Sequence, residues 1–89
     1  MYIVRWVGST VGDLAAIWID ASSAARNLIT RAATEIDRRL SNDPANEGES
    51  RESGRRILLA PPLGVKYRVD EERRITLVLN VWRFNVKND

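Results

Sequence analysis

Leu63, Val65, Tyr67 and Val69 fall on one side of a strictly alternating run, and Lys66 and Arg68 fall on the other. A period of two built from branched and aromatic residues demands an extended strand with one buried and one wet face. Two more apolar runs flank it. Arg55-Arg56-Ile57-Leu58-Leu59-Ala60 precedes Pro61-Pro62, and Arg74 to Arg83 follows Asp70-Glu71-Glu72-Arg73. Proline cannot donate to a ladder, so Pro61-Pro62 belongs at a turn or sheet edge. That charged tetrad supplies the second turn. The last third of the chain therefore reads as three consecutive antiparallel strands whose wet face is basic.

The preceding segments set what this sheet packs against. Tyr2 to Val7 alternates weakly and reads as a first strand closed by Gly8. Thr10 with Asp13 three residues later resembles a capping box, which opens a helix from Val11 to about Ile19 with Leu14, Ile17 and Trp18 as its apolar stripe. Asp20-Ala21-Ser22-Ser23 breaks it and offers three candidate caps. Ala25, Leu28, Ile29, Ala32, Ile36 and Leu40 then recur at helical spacing and predict a second helix to about Leu40. Its far face carries Arg26, Arg31, Glu35, Arg38 and Arg39. Ser41–Ser53 is polar and turn-rich, and is expected to be a loop or a partly mobile connector. The fold class expected is α+β: an N-terminal strand, a two-helix hairpin, then a three-strand antiparallel meander, with both helices on one face of a small twisted sheet.

With 89 residues the chain makes one domain, spanning 1–89. It has no cysteine and no histidine, so disulfide scaffolds, thiolate chemistry, Ser-His-Asp triads and His-based metal sites are excluded. No metal or cofactor is expected, since no glycine pattern matches a phosphate loop or a dinucleotide fingerprint. No apolar run approaches the roughly 18 residues of a spanning helix, so no membrane partner is expected, and the absence of cysteine fits a cytoplasmic protein. Residues 1–50 carry a net charge of −2 and residues 51–89 a net charge of +4. Arginine outnumbers lysine twelve to two, which favours planar, bidentate contacts to phosphate or carboxylate.

On the last strand, Ile75, Leu77, Leu79 and Val81 share one parity and are expected to join the core. Thr76, Val78, Asn80 and Trp82 share the other. The open face would then gather Lys66, Arg68, Asn80 and Trp82, with Arg55 or Arg56 from the neighbouring strand. A one-residue slip exchanges those two arginines. Arg83 falls just past the core, free to curl to either side. Cations beside an indole suit nucleic acid through phosphate charge and base stacking, whereas solvated arginines and a tryptophan covering a core edge account for the same pattern without a ligand. Glu47 with Glu49, and Glu71 with Glu72, sit in polar loops where solvation explains them.

The element order, together with Asp13-Leu14-Ala15-Ala16-Ile17-Trp18, the approach Asp43-Pro44…Gly48-Glu49…Arg51…Gly54-Arg55-Arg56, the Val65-x-Tyr67-x-Val69 strand and its charged turn, and the closing Val78-Leu79-Asn80-Val81-Trp82, resembles the RelE/ParE family. These are small toxins of type II toxin–antitoxin modules, also described as plasmid stabilisation proteins. The resemblance covers most of the chain. It implies a bacterial growth inhibitor neutralised by a cognate antitoxin that also sets its oligomeric state. RelE-like members cut messenger RNA in the ribosome, and ParE-like members poison DNA gyrase.

Residue by residue, the chain departs from the RNA-cleaving pattern. The arginine of strand 3 falls on Gly64, the arginine after the last strand falls on Phe84, and no aromatic residue follows Phe84. If the chain cleaves RNA, the resemblance leaves Arg83, Arg68 and Lys66 as candidate catalytic groups, with Arg83 displaced by one position. Arg55, Arg56, Lys66, Arg68, Asn80, Trp82 and Arg83 are the candidate target-binding residues. Trp18 and Ile19 are the candidate antitoxin-binding residues. The alternative is a non-toxic binding module of the same fold. A groove filled by Ser41–Ser53 would favour that alternative.

Overall fold

The computed structural model describes residues 1–85. Strand β1 (Ile3–Trp6) leads into helix α1 (Gly8–Ile19) and helix α2 (Ser23–Asn42). A connector with two short 3-10 turns and the two-residue strand β2 (Glu49–Ser50) follows. Strands β3 (Arg55–Ala60), β4 (Leu63–Asp70) and β5 (Ile75–Arg83) come next and are the last elements among the described residues. The sheet order is β1-β5-β4-β3-β2, with β1 parallel to β5 and every other pairing antiparallel. The expected class and the β3-β4-β5 meander are therefore present. The sheet gains β2 as an extra edge strand within a segment whose polarity predicts a loop.

Both helices cover one face. Ile29, Ala32, Ile36 and Leu40 of α2 meet Leu58, Ala60, Leu63, Val65, Tyr67, Val78 and Val81 of the sheet in one buried cluster. Val4, Trp6, Leu14 and Ile17 pack at its border. Leu28, expected in the α2 stripe, is instead 54% exposed. Ser22 caps α2, its Oγ accepting from the Ala25 amide at 3.2 Å. The Trp6 indole donates to Asp37 at 2.7 Å and so ties β1 to α2.

Helix α1 begins earlier than the capping-box reading. Its N-cap is Val7, without a side-chain cap. Thr10 lies inside the helix, fully buried, and its hydroxyl donates to the Leu79 carbonyl at 2.9 Å. That carbonyl belongs to a β-bulge. Tyr67 pairs with Val78 and Lys66 with Asn80, which leaves Leu79 as the extra residue. The bulge reverses the parity of β5 partway along. Thr76 and Val78 face the helices before it, and Val81 faces them after it. The expectation that Ile75, Leu77 and Leu79 share the core parity is thus corrected, while Val81 stays in the core and Asn80 and Trp82 stay on the open face. Buried Thr76 is satisfied by the Leu40 carbonyl, to which its hydroxyl donates at 3.0 Å.

The connector is held, which corrects the expectation of a partly mobile loop. Pro44 is buried, and the Tyr67 hydroxyl lies 2.8 Å from the Pro44 carbonyl and 2.6 Å from the Glu47 carbonyl. The Arg56 guanidinium donates to the carbonyls of Glu47 and Gly48 and to Ser50 Oγ. Arg39 on α2 forms an ion pair with the Glu47 carboxylate. Gly48 has φ +64°, and a Cβ there would run into the Ile57 carbonyl. Only glycine meets both conditions without strain.

Candidate nucleic-acid interface

The face opposite the helices is built in rows, because paired residues in adjacent strands project to the same side. One row is Arg5, Leu77, Arg68 and Arg55, read from β1 across β5 and β4 to β3. The next is Asn80, Lys66, Ile57 and Glu49. The third is Trp82, Gly64 and Leu59. The structure therefore brings together Lys66, Arg68, Arg55, Asn80 and Trp82, as the sequence reading expected.

It separates the other two candidates from them. Arg56 pairs with buried Tyr67, on the helix side, and its donors are spent on the connector. The register question between Arg55 and Arg56 is settled in favour of Arg55. Arg83 pairs with Leu63 and lies on the helix side, beside Ala25, Leu28, Pro61, Pro62 and Phe84. The three candidate catalytic cations do not converge on one point.

Arg55 and Arg68 are directly opposed in the ladder, an arrangement of like charges that costs stability unless an anion lies between them. Among the described residues, Arg55, Lys66 and Arg68 have no carboxylate within ion-pair distance, whereas Arg38, Arg39, Arg51 and Arg73 do. Two of these cations, Arg55 and Lys66, line an open basin of about 550 Å³ together with Arg51, Glu52, Ser53 and Ile57, and Arg68 is the ladder partner of Arg55. Arg51, Glu52 and Ser53 were missed in the sequence reading. They reach the basin only because the connector docks against β3, which polarity and turn content do not reveal. The connector walls the basin and does not fill it.

The proton-exchange groups are few. Tyr67 is on the helix side, and burial raises its pKa above the ordinary value near 10 despite the nearby Arg56. Tyr2 is at the far end of β1, where its hydroxyl donates to Glu71 at 2.6 Å and its pKa is raised by that bond. Glu52 is the carboxylate that lines the basin. The arrangement is equipped to bind and orient phosphate, and no described tyrosine reaches it.

Trp18 and Ile19, the candidate antitoxin contacts, lie at the end of α1. Trp18 is 42% and Ile19 63% exposed. The Arg26 guanidinium stacks 4.5 Å from the Trp18 ring centroid and donates to the carbonyls of Trp18 and Ile19. The indole NH reaches Thr30 Oγ1 at 3.3 Å. Trp18 is thereby fixed in place while Ile19 remains free to meet another surface.

This architecture is that of the RelE/ParE toxin fold. Searches of family models and of curated proteins find no match to the sequence. Solved structures do match. The RelBE2 toxin–antitoxin complex from Mycobacterium tuberculosis superposes with a TM-score of 0.71 at 20% identity, over 92% of this chain and 90% of that one. The chromosomal ParDE system of P. aeruginosa gives 0.66 at 19% identity, over 96% and 98%. The isolated E. coli RelE toxin gives 0.61 at 13% identity, over 98% and 88%. At these identities the likeness establishes the fold, and it is similar for RelE-named and ParE-named structures.

Proposed function

We propose that this protein is the toxin component of a type II toxin–antitoxin module, inhibiting bacterial growth until a cognate antitoxin covers it. The observation that carries the reading is the open basin lined by Arg55 and Lys66, with Arg68 paired to Arg55, on a RelE/ParE-type sheet. Lys66 and Arg68 sit on the solvent face without a carboxylate partner, and Arg55 spends one donor on the Ser53 carbonyl at 3.1 Å, which leaves cationic charge on this face uncompensated. These cations suit a phosphate-bearing target. Translation, through the ribosome and its messenger RNA, is the proposed site of action, with Lys66, Arg68 and Arg55 holding phosphate and Asn80 beside them. Cleavage would draw on Glu52 for proton exchange, since Arg83 lies on the opposite face.

One observation favours gyrase as a second reading. The two arginine positions associated with RNA cleavage are not matched, at Gly64 and at Phe84. The antitoxin would approach from Trp18 and Ile19 and reach the basic face with an acidic segment, for which the +4 charge of residues 51–89 supplies attraction.

The test is inducible expression in bacteria with and without the cognate antitoxin, following incorporation of labelled methionine and thymidine in the first minutes. Early loss of methionine incorporation is the expected result. Early loss of thymidine incorporation with translation intact selects gyrase. Unimpaired growth with verified soluble protein overturns the toxin reading and leaves a binding module.

A further inference from the structure

We propose that Gly64 and Trp82 form a stacking shelf for one unpaired base of a single-stranded nucleic acid. The proposal deepens the reading of the open face as the target-binding surface, and it rests on that reading.

A Cβ placed on Gly64 would lie 2.5 Å from Trp82 Cε2 and 2.6 Å from both Cζ2 and Nε1. Those two atoms are bonded to Cε2. An edge-on approach between them would bring them closer than Cε2 itself, so the near-equal distances mean that the ring face lies over the glycine. One face of the indole therefore rests on the backbone of β4, and the other is turned away from the sheet. Gly64 has no left-handed backbone to explain it. What it supplies is the room in which the indole lies down. Any side chain at this position would lift the ring, so the two residues act as a unit.

The surroundings match a nucleotide better than a purely apolar partner. Leu59, paired with Gly64 from the other side, extends the shelf and is 54% exposed. The next row, a step of roughly 7 Å along the strands, holds Asn80 and Lys66, and the row beyond holds Arg68 and Arg55. An apolar aromatic platform thus grades into unpaired cations in the order base, then phosphate. Stacking on an aromatic face tolerates any base, and only an unpaired base has that face free. The shelf accounts for Trp82 and for glycine at position 64 together.

The test is binding of a fluorescently labelled octanucleotide, as RNA and as DNA of one sequence, each with an abasic counterpart of the same charge. Wild type is expected to prefer the base-bearing strand. Trp82→Leu keeps apolar cover but removes the π face, and is expected to lose roughly 5–150-fold for the base-bearing strand and nothing for the abasic one. Trp82→Phe should retain most of the affinity. Gly64→Ala, with its indole intact but lifted, should lose affinity as Trp82→Leu does. A base-dependent loss with either sugar supports the shelf, and the tighter wild-type binder identifies the sugar. Equal wild-type binding of base-bearing and abasic strands overturns it. So does a Trp82→Leu protein, folded by circular dichroism, that binds the base-bearing strand like wild type. Growth arrest without base-dependent binding overturns the shelf alone, and base-dependent binding without growth arrest overturns the toxin reading alone.

Discussion

Replacing Tyr67 by phenylalanine should separate the two parts this residue plays, core packing and anchoring of the connector. The ring is fully buried, and its hydroxyl lies 2.8 Å from the Pro44 carbonyl and 2.6 Å from the Glu47 carbonyl. Tyr67→Phe keeps the ring and removes the hydroxyl, while the Glu47 carbonyl keeps Arg56 Nε at 2.8 Å and the Pro44 carbonyl keeps the Glu47 amide at 3.4 Å, so the cost is that of a lost hydrogen bond, about 0.5–1.5 kcal/mol. In a domain of this size each kcal/mol moves Tm by roughly 4–8 °C, so a central loss of about 1 kcal/mol lowers Tm by that amount. A pH series gives an independent check. Burial raises the Tyr67 pKa, so the folded chain holds the phenolic proton more tightly than the unfolded one. The associated stability is complete below about pH 10 and is lost as the pH rises through the folded value. Wild type should lose stability above pH 10 more steeply than Tyr67→Phe. Urea unfolding at pH 7 and at pH 10.5, read by circular dichroism, measures both effects. A cost under about 0.5 kcal/mol at pH 7 with parallel pH profiles would refute the anchoring argument.

Gly48→Ala should destabilise by at least about 1–2 kcal/mol in urea unfolding, from the left-handed backbone alone, with the Ile57 carbonyl adding to it. The pair Lys66→Ala and Arg68→Ala should leave Tm unchanged or slightly raised, because neither cation has a carboxylate partner and the repulsion between Arg55 and Arg68 is relieved. It should flatten the dependence of log K for a single-stranded oligonucleotide on log salt by about 1.4. Ile19→Asp should leave folding and growth arrest intact and reduce rescue by the antitoxin, measured as colony formation on co-expression. Full rescue would remove the end of α1 from the antitoxin interface.

The strand β4 was legible because its alternation is unbroken and its two faces differ sharply in polarity. The helices were legible for the same reason at a period of 3.6. Strand β5 was not, since Ile75, Leu77 and Leu79 are more apolar than Thr76 and Asn80, and hydrophobicity alone assigns them inward. The bulge at Leu79 and the Leu40 carbonyl waiting for the Thr76 hydroxyl decide otherwise, and both are tertiary facts. The open-face cluster of Lys66, Arg68, Asn80 and Trp82 survived that error because it lies on β4 and beyond the bulge. Arg83 was misjudged as free to join it, since the strand continues through Arg83 and fixes its side. Arg51 and Glu52 were invisible as site residues, for their position depends on Tyr67 and Arg56 seizing a connector that reads locally as a polar loop.

The parallel pairing of β1 with β5 sets a condition on biosynthesis. Ile3 and Trp6 find their ladder partners in Ile75 and Val78, so β1 waits for the much later strand β5. A nascent chain halted before Ile75 has the two helices and the β3–β4 hairpin. It lacks the strand that seats β1, accepts the Thr10 hydroxyl and carries Trp82. Translation products that stop before β5 therefore never present the complete open face, and whatever that face does to its target begins only once β5 has been made.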